Sequence, residues 1–332
     1  MAGLLKIGVI GVGHLGRWHI KNLLALDTVQ LIGFHDQNSE RAEQIAAEFQ
    51  VKSYPDLSQL LTECEAVSIV VPTSAHYAVA RQALEHGCHI FCEKPFMESL
   101  AEADEIIAMA RAKQKVLQVG HIERFNPALA ALHGFQLAPL FIESHRIAPF
   151  NPRGTDVAVI LDLMIHDIDI VLALVKAEVT GFEAAGAPVL TDNIDIANVR
   201  LKFASGCVAN LTASRVSAKQ MRRMRIFQRD AYFSIDFLKN STEIYRLSSG
   251  VLPEEGFSTI AEVNLPAQPP RRILHRVLQT EQSNALYHEL KMFVHSIQQH
   301  QPPMVSGEDG KRALALALQI EAQIKDELRR IL

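Results

Sequence analysis

The sequence predicts two domains, a doubly wound parallel α/β domain followed by an α+β domain. Up to about residue 121, short apolar strands alternate with amphipathic helices, which is typical of a parallel sheet covered on both faces. Beyond residue 140, strand-length segments follow one another across short turns, as in antiparallel sheets. With 332 residues, the chain is too long for one ordinary core. We place the domains at 1–121 and 122–332, and the last helix could pack back on the first domain.

The first domain begins with an apolar strand at residues 4–10, the sequence GVGHLG at 11–16, and a helix from Arg17. Glycines at these three positions suit a sharp turn, close approach of a pyrophosphate and tight helix–strand packing. The first N–H groups of the helix would face the phosphates. A Rossmann-type dinucleotide site is therefore predicted. The residues expected to bind the cofactor here are Gly11, Gly13, His14, Leu15 and Gly16.

Asp36 follows the second predicted strand, residues 29–35. It lies about 20 residues beyond the glycine turn, where a carboxylate can bind the adenosine ribose hydroxyls. The same charge would repel a 2′-phosphate, so we expect NAD rather than NADP. The alternative is that Asp36 only caps the helix predicted over 39–49.

The strand–helix alternation continues through the rest of the first domain. Further strands are predicted at 51–53, 65–71, 89–92 and 116–119, and helices at 56–63, 75–86 and 99–112. Ligands of parallel sheets bind at the carboxyl ends of the strands. Three polar clusters fall at such ends: Pro72-Thr73-Ser74-Ala75-His76, Glu93-Lys94-Pro95 and Gly120-His121-Ile122-Glu123-Arg124.

The second half combines a series of strands with helices at its two ends. A connecting helix is predicted at 121–135, a helix capped by Asp156 follows a loop at 149–154, and helices return at 283–299 and 309–330. Strands are predicted at 141–146, 179–186, 194–203, 207–213, 222–228, 231–237 and 242–247. Residues 306–309 offer a cap for the last helix, and 266–270 form a short loop.

Asp162, His166 and Asp169 give the helix near 157–175 a polar stripe. They stand at i, i+4 and i+7, which places them on one helix face. Burying so many ionisable groups without partners would be costly, so the stripe predicts a cleft rather than a dry core. Asp162 and His166 suit proton transfer. The alternative is a simple hydrogen bond along the helix.

Taken together, GVGHLG, Asp36, VPTSAH at 71–76 and CEKP at 92–95 resemble the Gfo/Idh/MocA oxidoreductase family. That family joins a Rossmann domain to an α+β domain with an open, mainly antiparallel sheet. The resemblance implies that Lys94 contacts substrate beside the nicotinamide ring and that Glu93 and Thr73 line the cofactor cleft, with His76 and Lys94 also near the cofactor. It further implies a cis peptide before Pro95. The alternative for Lys94 is an exposed loop lysine.

The family also carries a similar Asp-x-x-x-His, which implies catalytic and substrate-binding roles for Asp162 and His166. Met164 stands where the family often has glycine, which affects how substrate would fit. The implied reaction is an NAD-dependent oxidation of an alcohol to a ketone. His166, oriented by Asp162, takes the hydroxyl proton, and Lys94 stabilises the oxygen. The sequence leaves open whether His166 or Lys94 is the base.

Residues 120–127, 161–169, 214–217 and 305–310 most resemble the branch that oxidises C3 of UDP-N-acetylglucosamine on a route to amide-linked lipid A. Arg124, Asn126 and Arg146 are candidate contacts of this nucleotide sugar, since guanidinium groups suit a diphosphate. Structural salt bridges are their alternative. Other functions left open are oxidation of a free polyol such as inositol and a non-catalytic NAD-binding sensor.

Composition excludes several other classes of protein. A net charge of −4 gives no general attraction to nucleic acid or acidic membranes. Arg222 and Arg223 are adjacent in a strand, so the basic residues near them face opposite sides. The apolar stretch 157–175 carries ionisable residues unsuited to a transmembrane helix. The four cysteines lack zinc-ligand spacing, which predicts reduced thiols, no metal and a cytoplasmic protein. An open sheet face predicts a homodimer or homotetramer.

Overall fold

The structure, a computed structural model, describes residues 3–151, 157–248, 255–264, 266, 269–280 and 284–331. The chain divides into two compact units, each assembled from two segments. The first unit comprises Met1–Phe125 and Asn284–Ala315, and the second comprises Asn126–Ser283 and Leu316–Leu332.

The described residues form strands and helices that we number in chain order. The strands are β1 Leu5–Ile10, β2 Val29–His35, β3 Ala66–Ile69, β4 His89–Glu93, β5 Leu117–Gly120, β6 Phe141–Ile147, β7 Val179–Ala187, β8 Ile196–Phe203, β9 Val208–Ser214, β10 Met221–Phe227, β11 Ala231–Asp236, β12 Ser241–Ser248, β13 Ser258–Val263 and β14 Arg271–Gln279. The helices are α1 His14–Leu24, α2 Ser39–Phe49, α3 Leu57–Glu63, α4 Thr73–Glu85, α5 Leu100–Ala112, α6 Pro127–Ala130, α7 Ile165–Val175, α8 Ala285–Gln298 and α9 Gly307–Ile331.

The first unit contains the predicted parallel sheet, in the order β2-β1-β3-β4-β5. Helix α8 contributes to the same hydrophobic core as α1 and β1. The rings of Phe91 and Phe293 meet edge to face at 5.9 Å between centroids. The carboxyl ends of all five parallel strands therefore lie along one edge of the sheet, which is where such sheets bind ligands.

Several helices begin at a residue whose side chain caps the first turn, and these are residue types that favour the N-cap position. Asn38 caps α2, and Ser99 with Glu102 forms a complete capping box at α5. The predicted cap of the last helix is confirmed. Ser306 Oγ accepts from the Asp309 N–H at 3.1 Å, and Asp309 Oδ2 accepts from the Ser306 N–H at 3.0 Å.

Two predicted elements are wrong. The strand at 51–53 is reduced to a single parallel bridge between Ser53 and Phe34. The helix at 121–135 is instead a 3₁₀ turn, Ile122–Phe125, followed by the short α6. Proline begins α6, and the residue before it, Asn126, is held extended at φ −64° and ψ 130°.

The second unit contains a nine-stranded sheet in the order β13-β14-β12-β11-β10-β6-β9-β8-β7. Among the described strand pairs, β6–β9 is parallel and the others are antiparallel, so the predicted mainly antiparallel sheet is confirmed. Strands β13 and β14 are absent from the prediction, and every residue of β13 except the last is exposed. The Asp156 cap, and parts of the loops at 149–154 and 266–270, lie outside the described residues.

One face of this sheet carries helices, and the other carries a row of aromatic side chains. Asp167 of α7 bonds Ser144 and Arg146 on the helix-covered face. The opposite face bears what we call the aromatic row. Its members, one from each of five adjacent strands, are Phe141, Phe227, Tyr232, Tyr245 and His275. Successive ring centroids are 5.7, 4.8, 5.4 and 4.6 Å apart, and the rings are half-buried.

Two expectations about composition can be compared with the structure. Within the described part of the chain, every helix is too short or too polar to cross a bilayer. The four cysteines are buried and unbridged, as predicted. Burial raises the pKa of Cys64 to about 12 and that of Cys88 to about 11, so both are unreactive thiols at neutral pH.

Candidate active site

The three glycines of the turn between β1 and α1 have three different surroundings. Gly11 has a φ of +86°, which favours glycine. A Cβ on Gly16 would lie 2.0 Å from the Gly11 carbonyl oxygen, so this contact also requires glycine. A Cβ on Gly13 would meet no described atom within 4 Å. The turn is therefore closed on the protein side and open at Gly13, as approach of a pyrophosphate requires.

The start of α1 is free to receive an anion. Gly13 occupies the N-cap position, no described side chain caps the helix, and its first turn contains no acidic residue. His14 and Leu15 are exposed there. Backbone N–H groups and the helix dipole favour a phosphate at such a position. This part of the chain fits the diphosphate of a dinucleotide.

Asp36 lies at the carboxyl end of β2 and is joined to the glycine turn. Its Oδ2 accepts from the Val12 N–H at 2.8 Å, and its Oδ1 accepts from the Asn38 N–H at 2.8 Å. Arg41 lies 3.6 Å from the same carboxylate. Asn38, not Asp36, caps α2, so the helix-cap interpretation of Asp36 is wrong. Its place beside the turn fits a ribose contact.

Thr73 and His76 begin α4, beyond the end of β3. Thr73 is half-buried, while His76 is only 1% exposed. The Nδ1 atom of His76 lies 3.0 Å from the Pro95 carbonyl oxygen, and Nε2 lies 3.0 Å from that of Val71. Burial lowers the pKa of His76. The imidazole therefore connects the loop after β4 to the residue that precedes α4 by two positions, Val71.

Lys94 follows β4 and is half-buried rather than fully exposed. The predicted cis peptide between Lys94 and Pro95 is present. The Lys94 N–H donates to Glu93 Oε2 at 3.2 Å. Burial alone would raise the pKa of Glu93, but the hydrogen bond from His19 and the charges of His19 and Lys94 outweigh it and hold that pKa below its ordinary value. The Glu-Lys-Pro segment thus presents an ionised carboxylate and an ammonium at the end of β4.

Two polar residues that the sequence interpretation missed complete this cluster. His19 of α1 places Nε2 3.0 Å from Glu93 Oε1 and Nδ1 2.8 Å from Ser68 Oγ. His19 is 1% exposed and Ser68 of β3 is fully buried. A histidine on the apolar face of a predicted helix was the available signal, but its partners are distant in sequence.

In the second unit, Asp162 lies in a π-helical turn, Ile160–Met164, that leads directly into α7. His166 follows in the first turn of α7, and both side chains are half-buried. Asp169 is 1% exposed, so it lies in the interior and not in an accessible cleft. The wide π turn shifts the helical phase, and π turns are frequent at functional sites. Asp162 and His166 stay the accessible acid–base candidates of this helix.

Arg146 is placed in the core of the second unit. Its guanidinium is 2% exposed and bonds both carboxylate oxygens of Asp167, from Nε at 2.7 Å and Nη2 at 3.1 Å. Its Cζ also lies 5.8 Å from the centre of the Phe237 ring. This geometry favours a structural salt bridge over a contact with a substrate diphosphate.

Arg124 and Asn126 also have partners within their own units. Arg124 of the first unit is 12% exposed and lies 3.8 Å from Asp309. Asn126 of the second unit caps α6 and donates to the Phe237 carbonyl oxygen at 3.3 Å. Arg124 is therefore the more accessible of the two arginines predicted to bind substrate.

The basic residues near 215–225 do not form one patch. Arg215 is buried, where it donates to the Val157 carbonyl oxygen at 2.6 Å. Arg223 and Arg225 pair with Asp236 and Glu143, each at 3.1 Å. Each of these three arginines is therefore already paired or buried.

The fold and this site define an oxidoreductase built on an NAD-binding Rossmann domain. Residues 5–121 match the oxidoreductase family described by that fold, and residues 143–234 match the GFO/IDH/MocA C-terminal domain. The chain belongs to the Gfo/Idh/MocA oxidoreductase family.

Similar full-length proteins include two dehydrogenases of different substrates. The chain is 42% identical to UDP-N-acetylglucosamine 3-dehydrogenase of Acidithiobacillus ferrooxidans, over 98% of this chain and 99% of that protein. A solved structure of that dehydrogenase superposes with a TM-score of 0.86, covering 97% of this chain and 98% of the other. Myo-inositol 2-dehydrogenase of Thermotoga maritima is 26% identical over 97% of both chains.

Proposed function

We propose that this protein oxidises the C3 hydroxyl of UDP-N-acetylglucosamine to a ketone with NAD. The observation that carries the proposal is 42% identity over essentially the whole length of a dehydrogenase of that name. The presence of Lys94, Asp162 and His166 supports catalysis rather than a silent NAD-binding sensor. Such a 3-keto sugar nucleotide is a substrate for amination, which would place the reaction on a route to amide-linked lipid A.

The proposed chemistry assigns a separate role to each of three residues. NAD, when bound, supplies the hydride acceptor. Lys94 hydrogen-bonds the reacting oxygen and stabilises its negative charge as the O–H proton leaves. In this proposal His166, oriented by Asp162, accepts that proton. Either His166 or Lys94 serves as the formal base.

The binding roles follow from accessibility. Residues 11–16 and Asp36 would hold the diphosphate and adenosine ribose of NAD, and Thr73 and Glu93 would line the nicotinamide end. Of the two arginines suggested for the nucleotide sugar, Arg124 is 12% exposed, whereas Arg146 is 2% exposed and is paired with Asp167. In this proposal residues 1–121 bind NAD, while residues 122–332 bind substrate and support oligomerisation.

The test is an NADH-formation assay on the purified full-length protein. UDP-N-acetylglucosamine, its uronate and myo-inositol are compared, and the product is examined by mass spectrometry and NMR. We expect turnover with UDP-N-acetylglucosamine, loss of two hydrogens and a carbonyl at C3. Turnover confined to the uronate would move the assignment to a substrate oxidised at C6.

Oxidation of a free polyol is a second candidate, favoured by the full-length similarity to an inositol dehydrogenase. NADH formed only with myo-inositol would establish it and exclude the nucleotide sugar. If NAD binds but no sugar is oxidised in either direction, the sensor is the better description.

We also propose that a second copy of this chain covers the aromatic row. The row is flanked on the same face by the pairs Glu143–Arg225 and Arg223–Asp236. A face that carries both signs of charge beside half-buried rings can complement itself across a two-fold axis. The homodimer, or a homotetramer built from it, is the assembly that this face supports.

A further inference from the structure

His19 connects three elements at the edge of the parallel sheet that is proposed to bind the cofactor. Helix α1 begins at this edge, and strands β3 and β4 end there. It stands on α1, directly after the glycine turn, and bonds Ser68 on β3 at 2.8 Å and Glu93 on β4 at 3.0 Å. The bonded residues are 49 and 74 positions away in the chain. A single imidazole therefore connects the proposed phosphate-binding helix to the segment that carries Lys94.

The protonation pattern of this cluster follows from Glu93. The pKa of Glu93 is held below its ordinary value, so its carboxylate is ionised at neutral pH and can only accept hydrogen bonds. Nε2 of His19 must then carry a hydrogen. Nδ1 of the same ring lies 2.8 Å from Ser68 Oγ, a hydroxyl that can donate or accept. Ser68 therefore holds the ring while Nε2 donates to Glu93.

Ser68, His19 and Glu93 have the composition of a hydrolytic triad but not its accessibility. A nucleophilic serine must meet its substrate, whereas Ser68 is fully buried and His19 is 1% exposed. The accessible end of the chain of hydrogen bonds is Glu93, whose side chain is 14% exposed. The cluster therefore acts on the segment after β4 and has no reacting centre of its own.

Glu93 is held on a second side by the neighbouring strand. A Cβ on Gly120 of β5 would lie 2.9 Å from Glu93 Oε2, so glycine leaves just enough room for the carboxylate. That oxygen accepts the Lys94 N–H at 3.2 Å. His19 therefore holds Oε1 of Glu93, while the Lys94 N–H and Gly120 lie against Oε2. These contacts fix the orientation of the Glu93 carboxylate relative to the Lys94 backbone.

We propose that His19 is a positioning residue, which holds Lys94 in its reactive place through Glu93. Its N–H donor orients the Glu93 carboxylate, and the carboxylate in turn fixes the Lys94 amide and offers a counter-charge to the ammonium. The catalytic part of this inference rests on the proposed function, since it assigns Lys94 to the reacting oxygen. The structural part concerns the first unit alone.

Two substitutions distinguish the effect of losing the hydrogen bond to Glu93 from the effect of removing a buried imidazole. In His19→Gln the side-chain amide can reach the position of Nε2 and donate to Glu93. In His19→Asn the shorter amide reaches the position of Nδ1 and Ser68 but not Glu93. Both replace the imidazole by a smaller polar group, so each serves as the other's control for stability.

We expect the two variants to differ in kcat and not in NAD affinity. Displacement of a catalytic group can cost roughly 10- to 100-fold in rate, and His19→Asn should lose that much in kcat with a similar Kd for NAD. His19→Gln should recover most of the wild-type kcat. A shift of the pH–rate profile in His19→Asn alone would further tie the loss to the charge beside Lys94.

Amide hydrogen exchange at Lys94 provides a readout that needs no substrate. The Lys94 N–H should exchange faster in His19→Asn than in His19→Gln, at matched global stability. Equal exchange and equal kcat in the two variants would overturn the inference. If the wild-type protein oxidises none of the tested sugars, the proposed function fails, while the exchange comparison still decides whether His19 holds the Lys94 segment.

Discussion

At the scale of single residues, burial decides what a charged side chain can do. Arg146 and Lys94 are both candidates for contact with substrate, but they differ in burial. Arg146 is 2% exposed and bonds both oxygens of Asp167, whereas Lys94 is half-buried at a strand end. The first residue is expected to matter for stability and the second for turnover.

Replacing Arg146 tests the structural interpretation. Arg146→Met leaves the Asp167 carboxylate buried without its guanidinium, which costs about 3–5 kcal/mol of unfolding free energy. Denaturant unfolding measures this loss. The double variant Arg146→Met with Asp167→Leu should recover much of it, because no unpaired charge is left. Intact stability with a raised KM for the sugar nucleotide would instead make Arg146 a substrate ligand.

Replacing Lys94 or His166 tests the proposed chemistry. Lys94→Met and His166→Ala should each lower kcat by roughly 100-fold or more, since each removes a proton-transfer or charge-stabilising group. The Kd for NAD, measured by fluorescence titration, should change little. Lys113→Met, at an exposed position after α5, is the matched control. Unchanged turnover in either active-site variant would remove that residue from the mechanism.

At the scale of elements, the glycine turn and the loop before β8 show opposite uses of the backbone. No described side chain caps the helix that follows the turn, whereas the N–H groups of the loop 189–191 all donate to one carboxylate. Asp195 is fully buried and accepts from the N–H groups of Val189, Leu190 and Thr191 at 2.9, 2.6 and 2.8 Å. The first arrangement suits a ligand, and the second stabilises the fold.

Alanine at two glycines should separate binding from folding. Gly13→Ala meets no described atom within 4 Å, so it should alter stability by about 1 kcal/mol or less. Because the new methyl group occupies the open side of the turn, the Kd for NAD should rise roughly tenfold or more. Gly16→Ala collides with the Gly11 carbonyl oxygen and should lower the unfolding free energy by about 1–3 kcal/mol. Normal NAD affinity in Gly13→Ala would contradict this placement of the cofactor.

Asp195 should make the free energy of unfolding depend on pH in the acidic range. Burial alone would raise the pKa of Asp195, but its backbone hydrogen bonds outweigh burial and hold the pKa below the ordinary 3.8. The stabilisation is therefore complete above pH 3.8 and is lost as pH falls through the folded-state pKa. Asp195→Asn should lower the unfolding free energy at neutral pH by about 2 kcal/mol. A difference from wild type that does not shrink in acid would exclude this origin.

At the scale of the whole molecule, the aromatic row is the feature that one chain alone leaves half-buried. Tyr232 lies in the middle of the row, between Phe227 and Tyr245. Tyr232→Lys would place a charge where the proposed partner copy packs, and burying an unpaired charge is costly. We expect an oligomer for the wild-type protein in sedimentation velocity and a shift to monomer for this variant.

The control for assembly is Glu40→Lys, an equally drastic change on the exposed surface of α2. It should leave the sedimentation coefficient unchanged, and circular dichroism should show both variants folded. A monomeric wild-type protein, or an oligomer that survives Tyr232→Lys, would reject the aromatic row as the interface.

Local patterns in the sequence were sufficient for the elements that depend on near neighbours. The three glycines, the strand–helix alternation and the cap at Ser306 each involve a few consecutive residues, and each is present in the structure. The helix at 121–135 failed on a local signal that was available, the proline at 127. Strand β13 was not predicted, and nearly every residue in it is exposed, so it has no buried face for an apolar pattern to mark.

The sequence by itself determined the two kinds of sheet, the dinucleotide turn and the residues that could transfer a proton. Only the tertiary structure decided which charged groups are accessible and which are already paired. Arg146 became a buried partner of Asp167, and His19 became the link between Ser68 and Glu93. The reason is physical. Hydrogen bonding and desolvation act between groups that are close in space, and these partners lie 21 to 74 positions apart in the chain.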